Sequence, residues 1–144
     1  MAKAAFKPEK ITELLRSKGL KASKARLGIL KALGRAHCPV SVEELFKKLP
    51  SGLCDLATLY RSLASFEEKS ILVKIVLGDG QSRYEWAEQK NHHHHVVCRV
   101  CKKIKPISFC GLKNLEKQIQ KLGYSNIHHS LEFFATCSKC QVTS

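Results

Sequence analysis

Two Cys-x-x-Cys pairs constrain this chain more than any other feature: Cys98 with Cys101, and Cys137 with Cys140. Each pair can bring two sulfur atoms to one ion from a tight turn, and two pairs complete a tetrahedral four-thiolate site. Such a closed shell leaves no open coordination position. The spacing therefore predicts a structural Zn²⁺ ion rather than a catalytic one, with redox dithiols or disulfides as the alternative.

Length and charge narrow the function classes. The chain has 144 residues, a formal net charge of +13 and a pI near 9.6. This charge favours a polyanionic partner, with nucleic acid ahead of an acidic membrane surface. No apolar run approaches membrane-span length, and the N-terminus lacks an apolar signal core. We therefore expect a cytoplasmic protein that does not associate with membranes.

A change in composition divides the chain near residue 90. Six of the seven histidines and five of the seven cysteines follow that position, while the basic excess lies at the two ends of the chain. We expect two domains, 1–88 and 91–144. Because the second is too small to bury much apolar surface alone, pairing in a homodimer would stabilise it.

Residues 1–88 have the pattern of four helices followed by a β-hairpin. Apolar positions recur at steps of three and four, with capping residues at the segment ends. Strands are predicted over 71–76 and 84–86, joined by a glycine-containing turn. The predicted helices begin and end at Pro8 and Gly19, Ser23 and Gly34, Ser41 and Pro50, and Asp55 and Glu68.

In a basic chain this order of elements is typical of a winged helix-turn-helix domain, whose fourth helix would contact DNA. The polar face of that helix can reach phosphates and base edges, although an ordinary solvated face would give the same pattern. The predicted buried stripe is Leu56, Leu59, Leu63 and Phe66, and the exposed face carries Thr58, Arg61 and Ser65 with Tyr60 at its edge.

Between the cysteine pairs the sequence predicts an amphipathic helix over 111–123 and a strand at 127–134, and a further strand at 94–98 leads into the first pair. The expected fold class is therefore α+β, an N-terminal winged helix-turn-helix domain followed by a small α/β, zinc-stapled dimerisation domain. Cys54 and Cys110 are expected to be single thiols, buried or half-exposed.

Four consecutive histidines, His92 to His95, precede the first cysteine pair. On a strand their side chains alternate, so that His93 and His95 point one way and His92 and His94 the other. The run can therefore supply two separate metal sites, and imidazole suits several transition metals. We expect metal sensing here, with histidines that bind no metal as the alternative.

Several motifs follow one another in a fixed order. They are Ala57-Thr58-Leu59-Tyr60-Arg61 with Leu63, then Tyr84-Glu85, His93-x-His95-Val-Val-Cys98-x-x-Cys101, and His129-Ser-Leu leading to Cys137-x-x-Cys140. Together they resemble the ferric uptake regulator superfamily of metal-responsive repressors, over nearly the whole chain. The resemblance implies a dimer that binds a double-stranded DNA operator once regulatory metal closes its two heads. It also places the dimer interface and the metal sites in the C-terminal domain.

The resemblance implies roles for individual residues of the DNA-binding head. Tyr60 and Arg61 resemble the family's major-groove residues, and Lys21 resembles its minor-groove contact. Arg26 resembles a basic residue near the DNA backbone. With the exposed Thr58, these residues form the predicted DNA-binding set.

The family's hinge metal site carries over only in part. Three ligand positions match, but the histidine that usually completes the site falls at Pro39, so that a neighbour must substitute. The predicted regulatory ligands are Glu85, His93 and His95, with His37 or Cys38 as the substitute.

A further family site would use His92, His94 and His129. Its usual helix glutamate falls near 112–113 and its usual aspartate is His94 here, so that this site is either degenerate or rich in histidine. A carboxylate that often follows the first cysteine pair is replaced near Pro106. Its absence argues against a peroxide sensor.

Removing carboxylates and adding imidazoles shifts metal preference from iron and manganese toward zinc, nickel or cobalt. We therefore expect a repressor of metal-uptake and homeostasis genes that responds to Zn²⁺ or Fe²⁺, with a peroxide- or nickel-responsive regulator as the alternative. A metal-storage or chaperone protein would not need the basic head. A hydrolytic enzyme would need a general base near the histidines, where Glu85 and Glu88 are the only acids before the run. We expect no enzymatic activity and no small-molecule substrate beyond metal ions.

Overall fold

The computed structural model describes residues 7–87, 94–127, 129 and 131–141. The chain divides into two compact units between residues 88 and 89. Each unit contains its own three-stranded sheet together with helices. This mixed content confirms the α+β prediction.

The first unit contains four helices and a small antiparallel sheet. Its strand order is β1-β3-β2, with Val40 opposite Tyr84 and Leu72 opposite Trp86. The helices with the β2–β3 hairpin are the predicted winged helix-turn-helix arrangement. The elements are α1 Pro8–Ser17, α2 Lys24–Arg35, β1 Val40–Ser41, α3 Val42–Lys48, α4 Leu56–Glu68, β2 Leu72–Val76 and β3 Ser82–Trp86.

Capping side chains determine where three of these helices begin. Ser23 accepts a hydrogen bond from the backbone N–H of Arg26, and Ser41 forms a complete capping box with Glu44. Asp55 accepts from the backbone N–H of Thr58 at the start of α4. Each cap satisfies an N–H that the first helical turn leaves unpaired.

The core of the first unit is formed by apolar residues from all four helices and from the sheet. Burying each large aliphatic or aromatic side chain stabilises the fold by roughly 1.5–3 kcal/mol. The side chains with no exposed surface include Ile11, Leu15, Ile29, Leu30, Leu45, Leu59, Leu63 and Phe66.

Two predictions for the first unit need correction, and one strand was not predicted. Helix α2 continues through Gly34 and ends at Arg35. Leu56 is 44% exposed and lies outside the buried stripe of α4, because it is the first helical residue and projects beyond the packed turns. The two-residue strand β1 was not predicted, since it is too short to show a periodic pattern.

The second unit has a mixed sheet in the order β5-β4-β6. Strand β5 is antiparallel to β4, and β6 is parallel to β4. Its elements are β4 His94–Cys98, β5 Ile104–Ile107, α5 Lys113–Lys121, β6 Glu132–Ala135 and α6 Ser138–Gln141. The strand predicted over 127–134 is wrong in extent, because pairing with β4 involves only Glu132–Ala135.

Much of the apolar surface of this second unit is exposed. Within α5, all of which is described, no residue is buried. Leu122 and Phe109 are 75% and 76% exposed, and Tyr124 is also exposed. Among the described residues of the whole chain, no helix is both long and apolar enough to cross a membrane.

Candidate metal centres and DNA-binding helix

The parallel pairing of β4 and β6 brings the two cysteine pairs together. Cys98 ends β4 opposite Ala135 of β6, and both strands run toward the same edge of the sheet. The turn after β4 carries Cys101, while Cys137 and Cys140 follow β6. All four sulfur atoms lie within 4.8 Å of one another. The predicted convergence of the two pairs is therefore present.

Backbone N–H groups surround this four-cysteine cluster. The N–H of Cys137 donates to Sγ of Cys98 at 3.4 Å, and backbone hydrogen bonds lower the pKa of Cys98 to about 6. A backbone hydrogen bond from Cys140 likewise lowers the pKa of Cys137. These donors favour the thiolate form, which is the form that binds metal.

The pKa of Cys140 is shifted in the opposite direction. The hydrogen bond that Cys140 shares with Cys137 favours its protonated form and raises its pKa to about 12. Several thiolates close together repel one another, and a divalent cation at their centre would remove that repulsion. Four converging sulfur donors, some already favoured as thiolates, fit a structural Zn²⁺ ion.

A second cluster lies in the same unit. One donor atom from each of His94, Cys110 and His129 lies within 4.8 Å of the others. The two imidazole centroids are 5.2 Å apart, and Sγ of Cys110 is 3.6 Å from Nε2 of His129. On the other side of that ring, Nδ1 of His129 is 3.0 Å from a carboxylate oxygen of Glu116.

The second cluster contains two residues that were not expected in it. Cys110 is a free, half-buried thiol as predicted, but the loop before α5 also brings it against His129. The carboxylate near His129 comes from Glu116 rather than from 112–113. Neither Cys110 nor Glu116 was predicted at this cluster, although Glu116 and Glu132 are the only acids in 91–144. His92, the third member of the predicted site, lies outside the described residues.

The predicted hinge ligands come from both units. Glu85 lies in β3 and is half-buried, and His37 and Cys38 lie in the segment between α2 and β1 of the same unit. His95 belongs to β4 of the second unit and is 6% exposed. His93 lies outside the described residues.

The exposed face of α4 carries the predicted DNA contacts. Tyr60 is 47% exposed and Arg61 is exposed, while Leu59 beside them is fully buried. The guanidinium of Arg61 donates to the Thr58 hydroxyl at 3.2 Å. A hydrogen bond with Thr58 also lowers the pKa of Asp55, the residue that caps this helix.

The predicted minor-groove residue is exposed in the segment before α2. Lys21 presents its side chain to solvent, and its backbone carbonyl accepts a hydrogen bond from the guanidinium of Arg26 at 3.1 Å. Arg26 therefore holds the backbone that carries Lys21. Its side chain has a structural contact in addition to the predicted role near the DNA backbone.

An ion pair between the buried Arg83 and the half-buried Asp79 shapes the β2–β3 hairpin, which is the wing of this domain. Arg83 makes two charge-assisted hydrogen bonds to Asp79, at 2.9 and 2.6 Å. Gly80 follows with a φ of +73°, a conformation that glycine adopts without strain. The turn was predicted from the sequence, but this ion pair was not.

Comparison with known proteins agrees with this organisation. The family model "Ferric uptake regulator family" matches residues 17–134. The peroxide-responsive repressor PerR of Staphylococcus saprophyticus is 29% identical over 130 residues, which cover 88% of this chain and 86% of that protein.

Solved structures of ferric uptake regulators are also similar. The Vibrio cholerae regulator is 32% identical with a TM-score of 0.75, covering 88% of this chain and 98% of that one. The Helicobacter pylori regulator, described as having three functional metal binding sites, is 26% identical with a TM-score of 0.79, covering 95% of each chain. This chain is therefore a member of the ferric uptake regulator family of metal-dependent transcriptional regulators.

Proposed function

We propose that this chain is a homodimeric repressor of metal-uptake and homeostasis genes, with Zn²⁺ or Fe²⁺ as the metal that promotes binding to double-stranded operator DNA. The observation that carries the proposal is that one chain combines two clusters of potential metal ligands with a helix that presents Tyr60 and Arg61 to solvent. A storage protein would need only the clusters.

In this proposal α4 enters the major groove. Tyr60 and Arg61 lie on its exposed face and can reach base edges and phosphates, and Thr58 orients Arg61 through their 3.2 Å hydrogen bond. Lys21 approaches the minor groove, on a backbone held by Arg26. The wing between β2 and β3 flanks the helix, as in other winged helix-turn-helix domains.

The exposed apolar surface of the second unit supports homodimerisation. Phe109, Leu122 and Tyr124 are large apolar or aromatic side chains, and each is more than 60% exposed in the protomer. A second copy of the same unit would cover them through a symmetric interface. The dimer would then present two copies of α4 to a palindromic site.

The four-cysteine cluster is proposed to hold a structural Zn²⁺ ion. The thiolates of Cys98, Cys101, Cys137 and Cys140 would supply all four ligands, which links the start and the end of the small domain. The ion would supply folding free energy to a unit with little buried apolar surface.

The regulatory metal is proposed to bind at Glu85, His93 and His95, with His37 or Cys38 completing the set. Within the first unit, the antiparallel register of β1 and β3 supports the substitution. Val40 pairs with Tyr84, so that the segment just before β1 runs alongside the Glu85 end of β3. A thiol or imidazole there can replace the histidine missing at Pro39.

The donor set favours Zn²⁺ slightly over Fe²⁺. Imidazole and thiolate ligands suit zinc, whereas manganese and magnesium prefer carboxylates. The similarity to PerR favours a peroxide-responsive regulator as the second candidate. Against it, Pro106 pairs with His95 across β4 and β5, near the position where the resemblance leads us to expect a carboxylate.

The test is metal-dependent DNA binding by the full chain. A duplex is first selected from a random-sequence pool with metal-loaded protein, and its affinity is then measured after removal of exchangeable metal and refilling with each ion at buffered free concentration. We expect Zn²⁺ or Fe²⁺ to tighten binding at least tenfold. Equal affinity with every metal and with none would mean that the protein binds DNA constitutively, which would overturn the proposal.

A further inference from the structure

A groove in the first unit lies between α2 and the segment that joins α3 to α4. Its volume is about 660 Å³, and its apolar floor includes Leu27 and Leu53. The lining lies wholly within the described residues and contains no carboxylate. This surface, the basic groove, therefore carries charge of one sign only. Its charged residues, all of them exposed, are Lys24, Lys31, Arg35 and Lys48.

Three of these cations share one face of α2. Lys24, Lys31 and Arg35 follow one another at steps of seven and four residues, which place side chains in one line along a helix. At a rise of about 1.5 Å per residue, this line is about 16 Å long. Helix α2, all of which is described, contains no aspartate or glutamate. No carboxylate of the same helix therefore neutralises the line of cations.

Gly28 lies in the middle of this line. A Cβ at this position would collide with the side chain of Leu53, so that glycine lets Leu53 lie directly against α2. The space between the cations is therefore closed from below by the segment that joins α3 to α4. The result is a shallow floor with cations along its rim.

The position of Lys24 favours an anionic ligand. Lys24 is the first residue of α2, where the partial positive charge of the helix N-terminus disfavours a cation and favours an anion. Neighbouring cations in the same groove also repel one another. A ligand with several negative charges in a row would remove both repulsions, so that the groove fits a polyanion.

The basic groove adjoins both elements that are proposed to contact DNA. Lys21, the proposed minor-groove residue, precedes Lys24 by three residues. Leu53 lies two residues before Asp55, which caps α4. One strand of B-DNA carries a phosphate about every 3.4 Å along the axis, so that a line of cations about 16 Å long matches about five phosphates.

We propose that the basic groove binds the phosphate backbone of DNA outside the base pairs that α4 reads. This inference rests on the proposed function, because it extends the DNA surface of the same unit. Phosphate contacts carry no base sequence, so that flanking DNA of any sequence would tighten binding. The gain should depend on salt, because each phosphate contact releases counterions.

Duplexes of two lengths test the proposal. The full-length, metal-loaded protein is titrated with the selected duplex, either trimmed to the base pairs whose identity the selection fixed or extended at each end by two unrelated flanking sequences. We expect both extended duplexes to bind about tenfold or more tightly than the trimmed one. Equal affinity for trimmed and extended duplexes would overturn the proposal.

A double variant of the groove tests which residues provide this gain. Lys31→Ala with Arg35→Ala should lose the gain and bind the trimmed duplex as the wild type does. On the extended duplexes, the slope of log affinity against log salt should become shallower by about 1.8, or about 0.9 for each lost contact. Exchanging the two residues, Lys31→Arg with Arg35→Lys, keeps both charges and should keep the gain. The fluorescence of Trp86, in β3 of the same unit, verifies that each variant is folded.

Lys10→Ala with Arg16→Ala is the charge-matched control. Both residues are exposed on α1, and neither lines the groove. This control should keep the gain from flanking DNA. An equal loss of the gain in the control and in the groove variant would mean that net charge alone is responsible, which would overturn the proposal.

The same titrations separate this proposal from the proposed function. Metal-dependent binding with equal affinity for trimmed and extended duplexes would retain the proposed function and overturn the role of the groove. Binding that flanking DNA tightens, but that is equal with every metal and with none, would retain the groove and overturn the proposed function.

Discussion

Arg83 donates two hydrogen bonds to Asp79 across the turn of the wing, from Nη1 to Oδ1 and from Nη2 to Oδ2. The side chains of Arg83 and Asp79 are only 6% and 13% exposed. The hydrogen bonds from Arg83 hold the pKa of Asp79 well below its ordinary value of 3.8. Asp79 also accepts from the backbone N–H of Gln81 at 3.0 Å. One carboxylate therefore fixes both the turn and the arginine of the following strand.

We predict that Asp79→Asn lowers the unfolding free energy of the first unit by about 1.5–3 kcal/mol at pH 7, because it leaves a nearly buried arginine without its charged partner. Trp86 is the only tryptophan and lies in this unit, so that its fluorescence during urea denaturation measures the change. Glu68→Gln is the control, since its exposed ion pair with Lys69 should contribute less than about 1 kcal/mol.

The same ion pair predicts a pH dependence. The pKa of Asp79 is lower in the folded state than in the unfolded state, so that its contribution is complete above the ordinary carboxyl range and is lost as pH falls toward the folded value. The stability difference between wild type and Asp79→Asn should therefore be constant from pH 7 to about 5 and should narrow below about pH 4. A difference that does not change over this range would contradict the ion-pair explanation.

We predict that Cys98→Ser releases the structural zinc and abolishes dimerisation. The substitution removes one of four converging sulfur ligands in a unit that buries little apolar surface. Elemental analysis should show less than one zinc per protomer, and sedimentation should show a monomer. Trp86 fluorescence should report a folded first unit. Cys54→Ser, the control, should keep both zinc and dimer.

We predict that Arg61→Ala weakens binding to the selected duplex by about tenfold or more and leaves the zinc content unchanged. Arg61 is exposed on α4 and is far in sequence from the four-cysteine cluster. Arg16→Ala is the charge-matched control, an exposed arginine of α1. Fluorescence anisotropy at several salt concentrations separates a base contact from general attraction. Equal losses for the two variants would mean that only net charge matters.

The site could be predicted from the sequence where its residues are close along the chain. Cys-x-x-Cys spacing alone places Cys98 beside Cys101, and capping residues alone predicted the start of α4. The position of Cys110 could not be predicted, because its contact with His129 depends on how the loop before α5 folds over the sheet. The same is true of β1, a strand only because β3 lies beside it.

We predict that Leu122→Asp weakens the dimer. Leu122 is 75% exposed in the protomer, and in a symmetric interface each copy would lose roughly 1.5–3 kcal/mol of apolar burial. The dimer dissociation constant should therefore rise by about two orders of magnitude or more in sedimentation equilibrium. Val76→Asp, at an exposed apolar residue of the wing, is the control and should leave the constant unchanged. Unchanged dimerisation in Leu122→Asp would place the interface on another face.

We predict that Pro106→Glu shifts the metal response from Zn²⁺ toward Fe²⁺ and Mn²⁺. Pro106 lies opposite His95 in the β4–β5 ladder, so that a carboxylate there would stand next to a proposed regulatory ligand. Strand β5 is at the edge of its sheet, where replacing proline leaves the central ladder intact. Pro106→Ala removes the ring without adding a carboxylate and is the control. The ratio of Mn²⁺ to Zn²⁺ concentrations that give half-maximal DNA binding should fall in Pro106→Glu alone. A fall in both variants would mean that strand geometry, and not the added oxygen ligand, sets the preference.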